Sequence, residues 1–158
     1  MGSWRLVAAR VAPSSPPDVV RLSVLPSSAR LRRSRDFSET VRRGERAGRP
    51  TLVVHLTGDD EDGRSPHHTS QAPSARAGFV VSRAVGGSVE RHAVVRRLRH
   101  VVRSRLEALP AGTTLVIRAL PSAAQASSDT LARDLDSALK RIRHKREHSL
   151  AMSVKAES

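Results

Sequence analysis

The side chains in this sequence that can do chemistry are cations, and they are concentrated in one place. Arg91, His92, Arg96, Arg97, Arg99 and Arg103 fall within a short run that holds no acid, with Glu90 and Glu107 at its flanks. Without carboxylates at i,i+4 to neutralise them, these groups repel one another unless a polyanion is present. Arginine forks suit phosphate, bidentately, and can stack on bases. Groups for covalent or hydrolytic chemistry are missing. There is no cysteine, which excludes a thiolate nucleophile, a disulfide framework and a zinc–thiolate site. No Walker lysine motif, G-x-S-x-G, zincin motif or paired-carboxylate signature occurs. The acids Asp59, Asp60, Glu61 and Asp62 sit in a polar stretch with no sign of rigidity, and the adjacent His67 and His68 do not converge on one ion. On residues alone, the chain binds RNA or DNA and does not itself do chemistry.

The cations need a helix to present them. At about 100° per residue, Val95, Leu98, Val102, Leu106 and Leu109 fall on one arc, with Val94 and Val101 at its edge. His92, Arg96, Arg99 and Arg103 fall on the adjacent arc. One face packs and its neighbour is a cationic stripe. Gly86-Gly87 breaks the chain before this helix, and Ser88 is the expected cap of a helix running to about Leu109. Ahead of it, Ala77 to Ser82 reads as a short strand.

The remaining elements follow in order. Ser34 is placed to cap a helix carrying Asp36 in its first turn, Phe37 and Val41 on one face, and Gly44 at its end. Arg32 and Arg33 precede this helix, and Arg42 and Arg43 close it. After Pro50, Thr51 to Leu56 reads as a strand, with His55 on one of its faces. Thr57 to Pro73 reads as a long hairpin loop. Thr114 to Leu120 has the strongest strand pattern and is stopped by Pro121. A final helix carries Leu131, Leu135, Leu139 and Ile142 as an apolar stripe, and a basic end closes at Arg146. The order implies an α+β fold, a small, mostly antiparallel sheet packed with helices: α-β-β-(β)-α-β-α. Residues 1–29, rich in Pro and Ser, are expected to be a disordered extension, 30–146 the domain, and 147–158 a disordered tail.

Composition agrees with a polyanionic partner. The chain has 158 residues and a formal net charge of +13, more than solubility requires. Lysine occurs only at Lys140, Lys145 and Lys155. The aromatics are Trp4, Phe37 and Phe79, too few for a single-strand binder built mainly on stacking. No apolar run approaches the roughly 18 residues of a membrane span, and the N-terminal stretch has too short an apolar core for a signal peptide. A cytoplasmic protein is expected.

The ordered combination resembles the protein subunit of bacterial ribonuclease P. Leu25-Pro26, then Arg30-Leu31-Arg32-Arg33-Ser34-Arg35-Asp36-Phe37, match the family's opening. Gly78-Phe79-Val80-Val81-Ser82-Arg83 matches its G-[FL]-x-V-S-[KR] strand end. Val85-Gly86 leads to its basic R-N-R-x-K-R helix, in which Arg91 and Arg96 keep the first and last positions. His92 stands for asparagine, Ala93 for the second arginine and Val95 for lysine; Arg97, Arg99 and Arg103 are placed to compensate. The resemblance runs from Leu25 to Arg143.

That resemblance implies a ribonucleoprotein in which one such protein joins one large catalytic RNA and the 5′ leader of precursor tRNA is removed hydrolytically. It implies magnesium held by RNA and substrate phosphates, with no cofactor bound by the protein alone and no catalytic residue in it. It implies that Arg91, His92, Arg96, Arg97, Arg99 and Arg103 meet the catalytic RNA. It implies a leader cleft lined by Phe37, Val41, His55, Phe79 and Val81 with Arg83 nearby, and further basic contacts at Arg32, Arg33, Arg42 and Arg43. A left-handed strand–helix–strand crossover is also implied, against the usual hand. Since the family begins just before the leucine-proline, residues 1–23 are expected to be an upstream extension. The alternative is a small basic ribosomal or RNA-assembly protein with no role in cleavage, which leaves the joint spacing of Asp36-Phe37, Gly78–Arg83 and the basic helix unexplained.

Overall fold

The computed structural model describes residues 25–58 and 74–156. Leu115, Val116 and Ile117 are each fully buried, so the strand that carries them is covered on both faces. This strand, β4 (Thr114–Ala119), lies inside a four-stranded sheet of order β1-β2-β4-β3, with β1 at Glu45–Gly48, β2 at Leu52–Thr57 and β3 at Arg76–Val81. The β1–β2 and β2–β4 pairings are antiparallel and the β3–β4 pairing is parallel. Among the described residues three α-helices complete the fold: α1 (Ser34–Arg43) before the sheet, α2 (Ser88–Glu107) between the two parallel strands, and α3 (Ser128–Ala156) at the end. The order is α-β-β-β-α-β-α.

Two-residue alternation along the strands sorts the side chains into two layers. Leu52, Val54 and Leu56 of β2, Leu115, Ile117 and Ala119 of β4, and Ala77 of β3 join the main core. There they meet Val94, Leu98, Val101, Val102 and Leu106 of α2 and Leu131, Leu135, Ala138 and Ile142 of α3. Burying each large aliphatic side chain is worth about 1.5–3 kcal/mol against leaving it exposed. The opposite face carries Val53, His55, Val116 and Gly78. Here α1 is the cover, and a Cβ on Gly78 would overlap the Phe37 ring and press on Leu31. Only a residue without a side chain lets that ring lie so close to β3.

Polar groups fasten α3 across the sheet. Thr51 donates from its backbone N–H (3.1 Å) and its hydroxyl (2.5 Å) to the buried Asp134 carboxylate. Arg146 donates from Nε to Glu45 (2.8 Å) and from Nη2 to the Leu56 carbonyl (3.2 Å), bracing the edge strand β1. Arg105 forks onto Asp136 at 2.7 and 2.9 Å, linking α2 to α3. Bonding to that guanidinium, more than its charge, holds the Asp136 carboxyl below its usual range.

Several boundaries differ from the sequence expectation. Ser34 and Ser88 are the first helical residues, and the capping positions belong to Arg33 and Gly87, neither with a side-chain cap. The Gly87 carbonyl accepts the first bond of α2, from Arg91 N–H at 3.0 Å. Gly86 before it takes a φ of 154°, a region that disfavours side chains. Ser127 caps α3 through its hydroxyl, which accepts from Thr130 N–H at 3.2 Å. Among the described residues, Leu25 and Ala29 already enter the main core ahead of Arg30. At the other end, α3 continues past Arg146 to Ala156 where a disordered tail was expected; this stretch holds neither Gly nor Pro and includes good helix formers. The expected extension over 1–23 and the acidic and paired-histidine stretch over 59–68 lie outside the described residues.

Candidate nucleic-acid interface

Two cationic surfaces come out of this framework. The first is α2. Its buried arc is rotated by roughly 40° from the expected one, at about 100° per residue: Val94 and Val101 are fully inside, whereas Val95 is only half-buried. Packing against both β3 and α3 produces the difference, because a helix wedged between two neighbours buries more than one stripe. His92 and Arg96 stand exposed. Arg91 is half-buried, and its Nε reaches the Gly87 carbonyl at 3.4 Å. Arg97 is not part of a free stripe. Its Nη1 donates to the Ala124 and Ala126 carbonyls at 3.3 and 3.1 Å, bracing the turn that leads into α3.

Arg99 is half-buried, and its Nε is enclosed with no acceptor among the described residues. Burial, and next the charge of Arg30, hold its pKa below the usual arginine value. Arg30 is itself anchored, its Nε donating to the Leu25 carbonyl at 2.9 Å. Arg103 is half-buried near the same segment, lining a cavity with Leu25, Pro26 and Ala29. The segment before α1 and the helix α2 therefore bring cations together from distant parts of the sequence.

The second surface lies between α1 and the outer face of the sheet. Strand register sets Arg46, His55, Val116 and Gly78 in one cross-strand row, and Gly48, Val53, Arg118 and Val80 in the next. Phe37 is half-buried over Gly78, Val41 is exposed at 45%, and Val80 and Arg118 open to solvent. His55 is 7% exposed and its Nδ1 has no partner among the described residues. Burial, followed by the charges of Arg46 and Arg118, pushes its pKa below the ordinary histidine value and favours the neutral ring.

The expected cleft is brought together only in part. Val41 follows Phe37 one turn later on α1, and Phe37 and His55 share this face of the sheet. Phe79 and Val81 do not: they point to the opposite face and pack against the main core, because they alternate with Gly78, over which Phe37 lies. Val80, Arg46 and Arg118 take their place. Arg118 carried a readable signal, as the one charge inside an otherwise apolar strand. Arg83 is exposed in the turn that follows β3. Arg32 and Arg33 are exposed at the entry to α1, and Arg42 and Arg43 at its exit, where Arg43 pairs with Glu39 at 3.4 Å. Among the described residues no three His, Cys, Asp or Glu side chains group to hold a metal, and no helix is long and apolar enough to cross a membrane.

These features define a small α+β protein with two basic surfaces suited to RNA. The ribonuclease P family matches residues 25–143. The chain is 59% identical over 120 residues to the ribonuclease P protein component of Streptomyces griseus, covering 75% of this chain and 95% of that one. It is 52% identical over 127 residues to that of Salinispora tropica, covering 73% and 91%. The fold is similar to the RNase P protein of Staphylococcus aureus, in a mutant form, with a TM-score of 0.60 at 19% identity over 73% of this chain and 89% of that one. It is also similar to the RNase P protein of Thermotoga maritima, with a TM-score of 0.55 at 24% identity over 71% and 96%. The chain belongs to the ribonuclease P protein family: it is a subunit of a ribonucleoprotein endoribonuclease that matures the 5′ end of tRNA, and it associates with the ribonuclease P RNA.

Proposed function

We propose that α2 docks on the catalytic RNA while the groove between α1 and the sheet takes the single-stranded 5′ leader of precursor tRNA. The observation that carries this reading is the separation of the two basic surfaces. α2 lies on the side of the sheet opposite α1, so one protein can hold two RNA segments at once. On α2, Arg96 and His92 project to solvent, Arg99 has an unpartnered buried Nε, and Arg91 and Arg103 extend the cationic surface. In the groove, Phe37 offers an aromatic face, Val41 and Val80 offer apolar surface, and Arg46 and Arg118 supply charge for the backbone. Leaders differ between tRNAs, so charge and stacking suit the task better than a fixed base code.

Arg32, Arg33, Arg42, Arg43 and Arg83 surround these surfaces and add phosphate contacts. The described residues offer no ligand cluster for a metal; Mg2+ is assigned to the RNA and the substrate phosphates. This chain's own residues bind and orient. One protein would serve one RNA, in the cytoplasm.

Removing two charges from α2 tests the docking surface. Arg96→Ala combined with Arg99→Ala is expected to weaken binding to the catalytic RNA and to make the slope of log affinity against log salt shallower by roughly 1.5. An unchanged slope would reassign the RNA-docking surface.

A further inference from the structure

A cavity of about 580 Å³ opens between α2 and the start of α3, lined by His92, Val95, Arg96, Arg97, Arg99 and His100 with Ser128 opposite. Among the described residues no carboxylate lines it. One wall is fixed, since Arg97 is clamped to the Ala124 and Ala126 carbonyls, and another carries Arg99, whose enclosed Nε has no acceptor among the described residues. The charge of Arg30 adds to the pressure on the Arg99 guanidinium, which a bound anion would relieve.

A bare phosphate would fill only a small part of this space, which falls within the roughly 300–1,000 Å³ of small-molecule sites. The rest has the surfaces a base needs. Val95 is half-buried on the wall. His92 and His100 place an imidazole towards each end, about 12 Å apart along the helix axis. Histidine rings and arginine planes are common stacking partners for bases turned out of RNA. An A-form helix offers such a recess only backbone, whereas an unstacked nucleotide offers it both a phosphate and a base.

We infer that this cavity is a binding site for one unstacked nucleotide of the catalytic RNA, its phosphate held by Arg96 and Arg99 and its base set against Val95 and a histidine ring. The inference rests on the docking of α2 described above and adds a base-sized recess to it.

The test fills the recess without removing a charge. Val95→Phe in the full chain is expected to lower affinity for the catalytic RNA roughly tenfold through loss of the base contact, with the salt slope unchanged. In parallel, adenosine 5′-monophosphate should shift the His92 and His100 ring signals of the wild-type protein in NMR, while inorganic phosphate at equal concentration should not reproduce the shifts. RNA affinity within twofold of wild type for a folded Val95→Phe protein would overturn the inference, even if the free nucleotide binds. Should that variant not fold, the titration decides: a nucleotide that shifts these rings no more than phosphate does overturns it. Failure of α2 docking itself looks different, because then Arg96→Ala with Arg99→Ala would leave the salt slope unchanged.

Discussion

Phe37 packs against the sheet in this structure and is proposed to stack on the leader, and the two roles can be separated. Its ring lies over Gly78 from α1, and it stays half-buried on the side of the sheet assigned to the leader. Truncating a fully buried Phe to Ala costs about 3–5 kcal/mol; for a half-buried ring, about 2 kcal/mol of folding stability is expected. Loss of a stacked base costs a further 1–3 kcal/mol, roughly, and only when a leader is present. The stability term acts alike on every ligand, so it cancels when two substrates are compared on one folded holoenzyme. Affinity should therefore be titrated for a leader-bearing precursor and for mature tRNA, with wild-type protein, Phe37→Ala and Phe37→Leu. Phe37→Ala is expected to weaken the precursor by about 2 kcal/mol, roughly 30-fold, and mature tRNA by less than twofold. Phe37→Leu keeps an apolar cover over Gly78 and should restore most of the stability, but not the precursor affinity. Equal losses for both substrates, or full rescue of precursor binding by leucine, would make Phe37 a packing residue and refute the stacking argument.

Two further outcomes are expected. Asp134→Ala strips the Thr51 N–H and hydroxyl of their acceptor at a buried site, and should cost about 2 kcal/mol in urea unfolding; an unchanged midpoint would mean that the link between α3 and β2 contributes nothing. His55 is pushed towards its neutral form in the folded protein, so the unfolded chain takes up more protons as pH falls below about 6.5, the ordinary histidine value. Folding stability contributed by this group is thus present above that pH and lost as pH drops through the window below it. His55→Gln should remove that part of the pH dependence; an identical profile for both proteins would assign it elsewhere.

Much of this was legible in the sequence, for physical reasons that also mark where legibility ends. The Gly86-Gly87 break and the recurrence of aliphatic residues at the 3.6-residue period specified α2, because one recurring apolar stripe is enough to mark a helix. The centre of the buried arc was not legible, since Val94 and Val101 are buried by tertiary neighbours on two sides. β1 went unseen as a strand. Glu45-Arg46-Ala47-Gly48 has one inward residue, Ala47, and is extended because it pairs with β2. The groove was half legible. Phe79 and Val81 look like cleft residues, and the sheet is covered on both faces, so apolarity alone does not say which face each occupies. Gly78 held the answer: a glycine inside a strand marks close approach by another group, here the Phe37 ring, and that fixes the face of every residue in β3. The clamp that takes Arg97 out of the cationic stripe depends on two carbonyls some thirty positions away, which periodicity does not register.

The most direct test of the whole account is precursor-tRNA cleavage by the catalytic RNA of the same organism at low magnesium, with and without this protein. The account predicts that cleavage at the mature 5′ end depends on added protein, that the protein alone cleaves nothing, and that the stimulation is lost when Arg96 and Arg99 are both replaced by alanine. Cleavage equally fast without the protein, despite tight binding between the two, would contradict it.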